Sequence, residues 1–279
     1  MTRSTLERAR DLAGEHLFAL PDPEGILARR EAGRTDPGDD RGLAALLDML
    51  GHAQHADGSW EGGLVPTATT LLLLRELFPD GDPAGVIAGA AVDFLRARRG
   101  APGRYGDRCT PADHAVGLCH HFLGGFFAAA PADAPLPEIV LPSGARVQRD
   151  PDTRLAASAL ALEAMLRWRA PDRDTAIHLE GIRRILCIAD RFDDDRLLPA
   201  ARLAALTALL AAPITTDGAA VAGEAIGMTL RTQRADGSWP RTDTFQVLEL
   251  LLAAGAPAEG GSVMPQAGID AAIARAAAM

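Results

Sequence analysis

Gln54-His55-Ala56-Asp57-Gly58-Ser59-Trp60 recurs as Gln233-Arg234-Ala235-Asp236-Gly237-Ser238-Trp239. Each copy is followed by a short polar loop and an apolar run, Thr67-Ala68-Thr69-Thr70 into Leu71–Leu74 in the first and Asp243-Thr244-Phe245-Gln246 into Val247-Leu248 in the second. Each therefore reads as the end of one helix and the approach to the next, with the glycine permitting a left-handed residue between them. A weaker copy runs from Phe94 to Tyr105-Gly106, ahead of a helix from Pro111.

Working outward, nearly every segment reads as helix, because Ala, Leu and Arg dominate and all three are strong helix formers. Asp174–Asp190 is amphipathic: Leu179, Ile182 and Leu186 share one face, and Glu180 is placed to pair with Arg184. Leu155–Trp168 and Leu197–Leu210 are apolar nearly all round, the pattern of helices buried on every side. Inner helices are expected to start near Thr67, Asp113, Asp152, Asp195 and Asp243, at intervals of roughly 40–50 residues, or two helices and two turns each. The expected fold is all-α: one domain over 1–279, a single α/α toroid of about eleven to twelve helices in an inner and an outer ring. The period breaks at 131–151, where Pro131, Pro135, Pro137, Pro142 and Pro151 exclude a helix. Within it, Glu138–Leu141 and Ala145–Val147 flank Pro142-Ser143-Gly144 as a small hairpin, either a rim or lid of the cavity or a surface insertion.

The 279 residues include no Lys and no Asn, so all 28 basic residues are Arg. That excludes Schiff-base chemistry, a P-loop lysine and a Cys-His-Asn triad. A net charge of −9 argues against nucleic acid as a partner. Three cysteines make no secreted disulfide framework. The charged start Met1–Arg8 has no apolar signal core, and the longest apolar stretch, Leu203–Ile214, is broken by Thr207 and too short to span a bilayer. The expected location is cytoplasmic.

The repeated Gln-x-x-Asp-Gly-Ser-Trp resembles the QW motif of the terpene cyclase and protein prenyltransferase superfamily. That resemblance implies an α/α toroid in which the Gln satisfies backbone groups at a helix end and the Trp packs across to the next helix. It implies no chemistry for Gln54, Trp60, Gln233 or Trp239. Asp150-Pro151-Asp152-Thr153-Arg154 resembles the Asp-x-Asp-Asp-Thr-Ala signature of squalene–hopene and other class II terpene cyclases, whose central Asp protonates an alkene or epoxide. One Asp is missing. Aligned on Asp150, Asp152 takes the acid position; aligned on Thr153, Pro151 falls there. Without the resemblance, Asp152 or Thr153 is a helix cap after a proline.

Two further stretches carry candidates. Asp193-Asp194-Asp195 offers carboxylates at the expected mouth of the ring, or an acidic helix start that complements the dipole. In Thr110–His121, Asp113 and His120 lie on one stripe of a helix and His114 and His121 on the adjacent one, next to Phe122. A polar stripe on a buried helix is expected to face a cavity. The candidate catalytic residues are thus Asp150, Asp152, Asp113, His120 and His121. The candidate substrate contacts are His114, Phe122, Arg154, Asp193 and Asp195.

The favoured expectation is a terpene-cyclase-like isomerase or lyase, acting by acid-initiated chemistry on an isoprenoid or similar apolar substrate, with no cofactor and no metal. Such a substrate allows peripheral contact with a membrane. Against it, eight Phe, three Trp and one Tyr leave few rings to stabilise cations. One alternative is a non-catalytic ring that binds an apolar ligand or a protein. Another is a zinc enzyme, because Asp107-x-Cys109 and Cys119-His120 resemble metal half-sites of protein prenyltransferases and of lanthionine cyclases.

Overall fold

The computed structural model describes residues 14–98, 138–148, 150–169, 172–191, 199–212, 223, 226–227, 229–240, 243–255 and 270–274. They are mostly helical: α1 (Pro23–Glu31), α2 (Asp39–Ala53), α3 (Leu64–Leu77), α4 (Gly85–Ala97), α5 (Asp150–Trp168), α6 (Arg173–Arg191), α7 (Pro199–Leu210) and α8 (Thr244–Gly255). Helical turns at 14–18, 229–231 and 270–274 add to these. Among the described residues the only strands are β1 (Ile139–Val140) and β2 (Arg146–Val147), paired antiparallel with Ile139 opposite Val147.

Where the helices stop follows local chemistry. Asp22 caps α1 by accepting from the Gly25 N–H at 3.0 Å, with Pro23 in the first turn. Asp172 caps α6 through the Thr175 N–H at 2.7 Å and the Thr175 hydroxyl at 2.6 Å. Arg29, on α1, pairs with Asp39 at the start of α2 and donates to the Phe18 and Leu20 carbonyls at 2.7 Å each. The guanidinium holds the Asp39 carboxyl below its usual range through their hydrogen bond.

α5 is the hub. It packs against α3, α7, α4 and α6 and carries β2 on its N-terminal side. Leu155, Ala156, Ala159, Ala161, Leu162 and Ala164 are all fully buried, as a helix apolar on every side requires. Its small side chains allow close approach, and Trp168 donates its indole N–H to the Leu71 carbonyl of α3 at 2.8 Å. The repeat period puts another inner helix, from Asp113, between these two in chain order. Instead α3 and α5 pack directly against each other. Residues 99–137, which include Asp113, lie outside the described residues. The ends of α3 and α5 are adjacent, since Arg167 comes within 3.8 Å of Glu76, so the two helices run in the same direction. On α6, Ile182 and Leu186 are buried as expected. Glu180 holds Arg183 at 2.5 and 2.6 Å; Arg184, the expected partner, has a side chain outside the described residues.

The two copies of the repeated motif fold identically. Gly58 and Gly237 take φ +88° and +87°. The His55 and Arg234 N–H groups each donate to the Ser carbonyl four positions on at 2.8 Å. The Asp57 and Asp236 side chains accept from the N–H and hydroxyl of Ser59 and Ser238, which lowers both carboxyls below their usual range. Gln and Trp each bond a different backbone group. The Trp60 indole N–H closes back on the Leu50 carbonyl at 2.9 Å, one of the orphan acceptors in the last turn of α2. Trp239 does the same to Thr229 at 2.7 Å. It is Gln that reaches the next hairpin: Gln54 Nε2 donates to Gly58 and to Ile87 in the first turn of α4, both at 2.9 Å. Gln233 Nε2 donates to Gly237 and to Ala272, both at 3.0 Å. A primary amide carries two N–H donors and an indole only one, so only the Gln can hold its own loop and a second helix together.

Candidate functional site

The N-terminal end of α5 is where sequence and structure converge. The hairpin expected within 131–151 is present: Gly144 has φ +79°, and the Leu141 N–H donates to Ala145 at 2.9 Å. Glu138 ties it across by accepting from Arg146 and from Gln148, both at 2.6 Å, which lowers the Glu138 carboxyl. Its inner face is core, with Leu141 and Val147 buried, and β2 packs on α5 and α7. The Thr153 hydroxyl donates to the Val147 carbonyl at 3.3 Å, fastening the hairpin to the first turn of α5.

In that turn Asp152 is fully buried, as is Thr153. Asp150 and Arg154 lie on the same helical turns, and their side chains are outside the described residues. Eleven positions after Asp152, and only about 20° further round the helix, stands Glu163. It too is buried, at 7% exposure. Burial pushes its carboxyl above the usual range, against the opposing pull of Arg167, whose Nε donates to it at 2.9 Å. The stripe from Asp152 through Ala156 and Ala159 to Glu163 therefore carries two carboxyls on one face of the most buried helix. Glu163 was not anticipated from sequence, although the eleven-residue spacing from Asp152 was available to find it. His178 is likewise buried, on a helix read only as an outer one. His52 and His55, expected at the surface, are exposed.

Asp113, His114, His120, His121 and Phe122 lie outside the described residues, as do Asp107, Cys109 and Cys119 of the zinc alternative and the carboxylates Asp193 and Asp195. Among the described residues no three His, Cys, Asp or Glu side chains group closely enough to hold a metal ion. No described helix is long and apolar enough to cross a membrane. No family model matches the chain, and neither a curated protein nor a solved structure is detectably similar to it.

Proposed function

We propose that the chain is a terpene-cyclase-like enzyme built as an α/α ring, acting on an isoprenoid or similar apolar substrate with Asp152 as the proton donor. The observation that carries this reading is the complete burial of Asp152 in the first turn of the central helix, next to Thr153, whose hydroxyl fastens the hairpin. Protonating an alkene needs a carboxyl aimed at the substrate where water neither competes for the proton nor quenches the cation. The ring is supported by the parallel run of α3 and α5 and by the Gln54 and Gln233 bridges, each linking a helix end to the hairpin that follows. Ordinary helix capping is the competing role for Asp152, and function separates the two.

Polyprenyl hydrocarbons and diphosphates of several chain lengths are incubated with the full-length protein and with Asp152→Asn. The expected result is a cyclised or isomerised product from wild type and at least a 100-fold loss in Asp152→Asn, a general acid being worth about that much or more. The variant should unfold at nearly the wild-type temperature. Full activity in Asp152→Asn, or no turnover of any polyene, refutes the acid mechanism.

A second reading, a non-catalytic ring that binds an apolar ligand or a protein, has its own support. The indoles of Trp60 and Trp239 are engaged by helix-end carbonyls, Trp168 lies at the far end of α5, and Phe94 sits on α4. Saturable binding of a polyprenyl chain without turnover favours it. Zinc at or above about one equivalent in the purified protein would instead favour the zinc enzyme.

A further inference from the structure

At the opposite end of α5, the turn between α3 and α4 and the residues Trp168 and Arg169 enclose an open cleft of about 350 Å³. Trp168 is sixteen positions after Asp152, about 24 Å along the helix, so this cleft is separate from the candidate acid. Its apolar floor is Ala88 and Val92, both buried, and the Trp168 ring. The ring is locked in orientation by its N–H bond to Leu71.

Charges of both signs line the same space without meeting. The Arg75 guanidinium lies 5.5 Å over the Trp168 ring centre. Asp80 and Asp82 flank Gly81 on the turn. Among the described residues none of these three makes an ion pair, although all border one cleft. Arg169, by contrast, is taken by Asp93 at 3.1 Å. A simple anion would meet two carboxylates here, and a simple cation would meet the arginine. A molecule carrying both charges on an apolar body satisfies every wall.

We propose that this cleft binds a small zwitterion of the α-amino-acid type, its carboxylate on Arg75, its ammonium on Asp80 and Asp82, and its apolar side chain against Val92 and Trp168. The volume lies within the range of small-molecule sites. Gly85 lines the cleft and accepts a longer side chain. A Cβ built there meets nothing within 4 Å and its backbone is not left-handed, so a longer side chain enters open space without strain.

The test is calorimetric titration of the full-length protein with L-leucine and L-phenylalanine, their N-acetyl derivatives and their methyl esters. Saturable binding of at least one free amino acid is expected. Removing either charge, by acetylation or esterification, should weaken it at least tenfold, or about 1.4 kcal/mol. Arg75→Gln and the double variant Asp80→Asn/Asp82→Asn should each do the same. Gly85→Leu should abolish binding while unfolding no earlier than wild type. Absence of binding below about 10 mM for both amino acids overturns the proposal. So does equal binding of the N-acetyl acid, which would mark a plain anion site, or of the ester, which would mark a cation site.

Discussion

Gln54→Glu replaces one N–H₂ by an oxygen and changes almost nothing else in size. The amide it removes donates to two carbonyl oxygens, Gly58 and Ile87, both at 2.9 Å. Because both acceptors are carbonyls, the nitrogen must be the atom that points at them. Each bond contributes about 1 kcal/mol net. At neutral pH the introduced carboxylate loses both and faces two carbonyl dipoles. That repulsion raises its folded-state pKa above the unfolded value of about 4.3, and a pKa difference of about one corresponds to about 1.4 kcal/mol. Gln54 is half-buried, so water relieves part of the repulsion and a difference of about one sets the scale. Added to the deficit of the protonated form, about 1 kcal/mol, this makes the expected loss about 2.5 kcal/mol at pH 7. A raised carboxyl pKa means that the folded state binds more protons. The protonated form is therefore favoured at and below the unfolded pKa, and the added loss develops as pH rises through the folded pKa. At pH 4 the carboxylic O–H can donate to one carbonyl, leaving a deficit of about 1 kcal/mol. Gln54→Met, similar in shape and unable to ionise, should lose about 2 kcal/mol at both pH values. Urea unfolding followed by far-UV circular dichroism at pH 4 and pH 7 reads all of these differences. If Gln54→Glu is as stable as wild type at pH 7, or its loss is as flat with pH as that of Gln54→Met, the Gln amide is not what joins the hairpins.

Gly58→Ala should be among the most damaging single-methyl changes in the chain. The new Cβ would lie 2.3 Å from the Ala90 carbonyl oxygen at a φ of +88°, so backbone must move; a loss of about 3 kcal/mol or more is expected, measured by thermal unfolding. Gln246→Thr should stabilise. In the first copy of the motif the Thr67 hydroxyl accepts from the Trp60 N–H at 3.0 Å and donates to Gly63 at 2.6 Å. In the second copy Gln246 holds the corresponding place, and its Nε2 is buried with no hydrogen-bond partner among the described residues. Restoring the hydroxyl should add about 1 kcal/mol, and a variant less stable than wild type would show that the two helix starts are not equivalent.

Much of the fold was legible because it is written in local patterns. The buried helix at Leu155–Trp168, the amphipathic face of Leu179, Ile182 and Leu186, and the turn at Pro142-Ser143-Gly144 each follow from spacing within a dozen residues. The neighbour relations were not legible in the same way. A repeat period states how many helices follow one another, and chain order suggested a helix between α3 and α5. Their direct contact is instead a property of two surfaces far apart in sequence. The division of hydrogen bonds between Gln and Trp has the same origin. Either side chain can meet a helix end; only donor number and the position of Ile87, thirty-three residues on, decide which one bridges.

The candidate site was legible in part for a related reason. Asp150-Pro151-Asp152 is singled out by its resemblance to the class II terpene cyclase signature, and Asp152 is buried there. Sequence alone does not single out Glu163, because a lone Glu on a helix is ordinarily a solvated residue. What makes it unusual is that α5 is covered on two flanks, by α3 and by α7, and Glu163 is buried between its neighbours at 7% exposure. A carboxyl in that position loses solvation whatever its neighbours, and Arg167 offsets only part of the loss. The cleft at the far end of α5 was invisible for the opposite reason. Arg75, Asp80 and Asp82 look like ordinary surface charges in sequence, and only the docking of Trp168 onto Leu71 turns that stretch of surface into a wall.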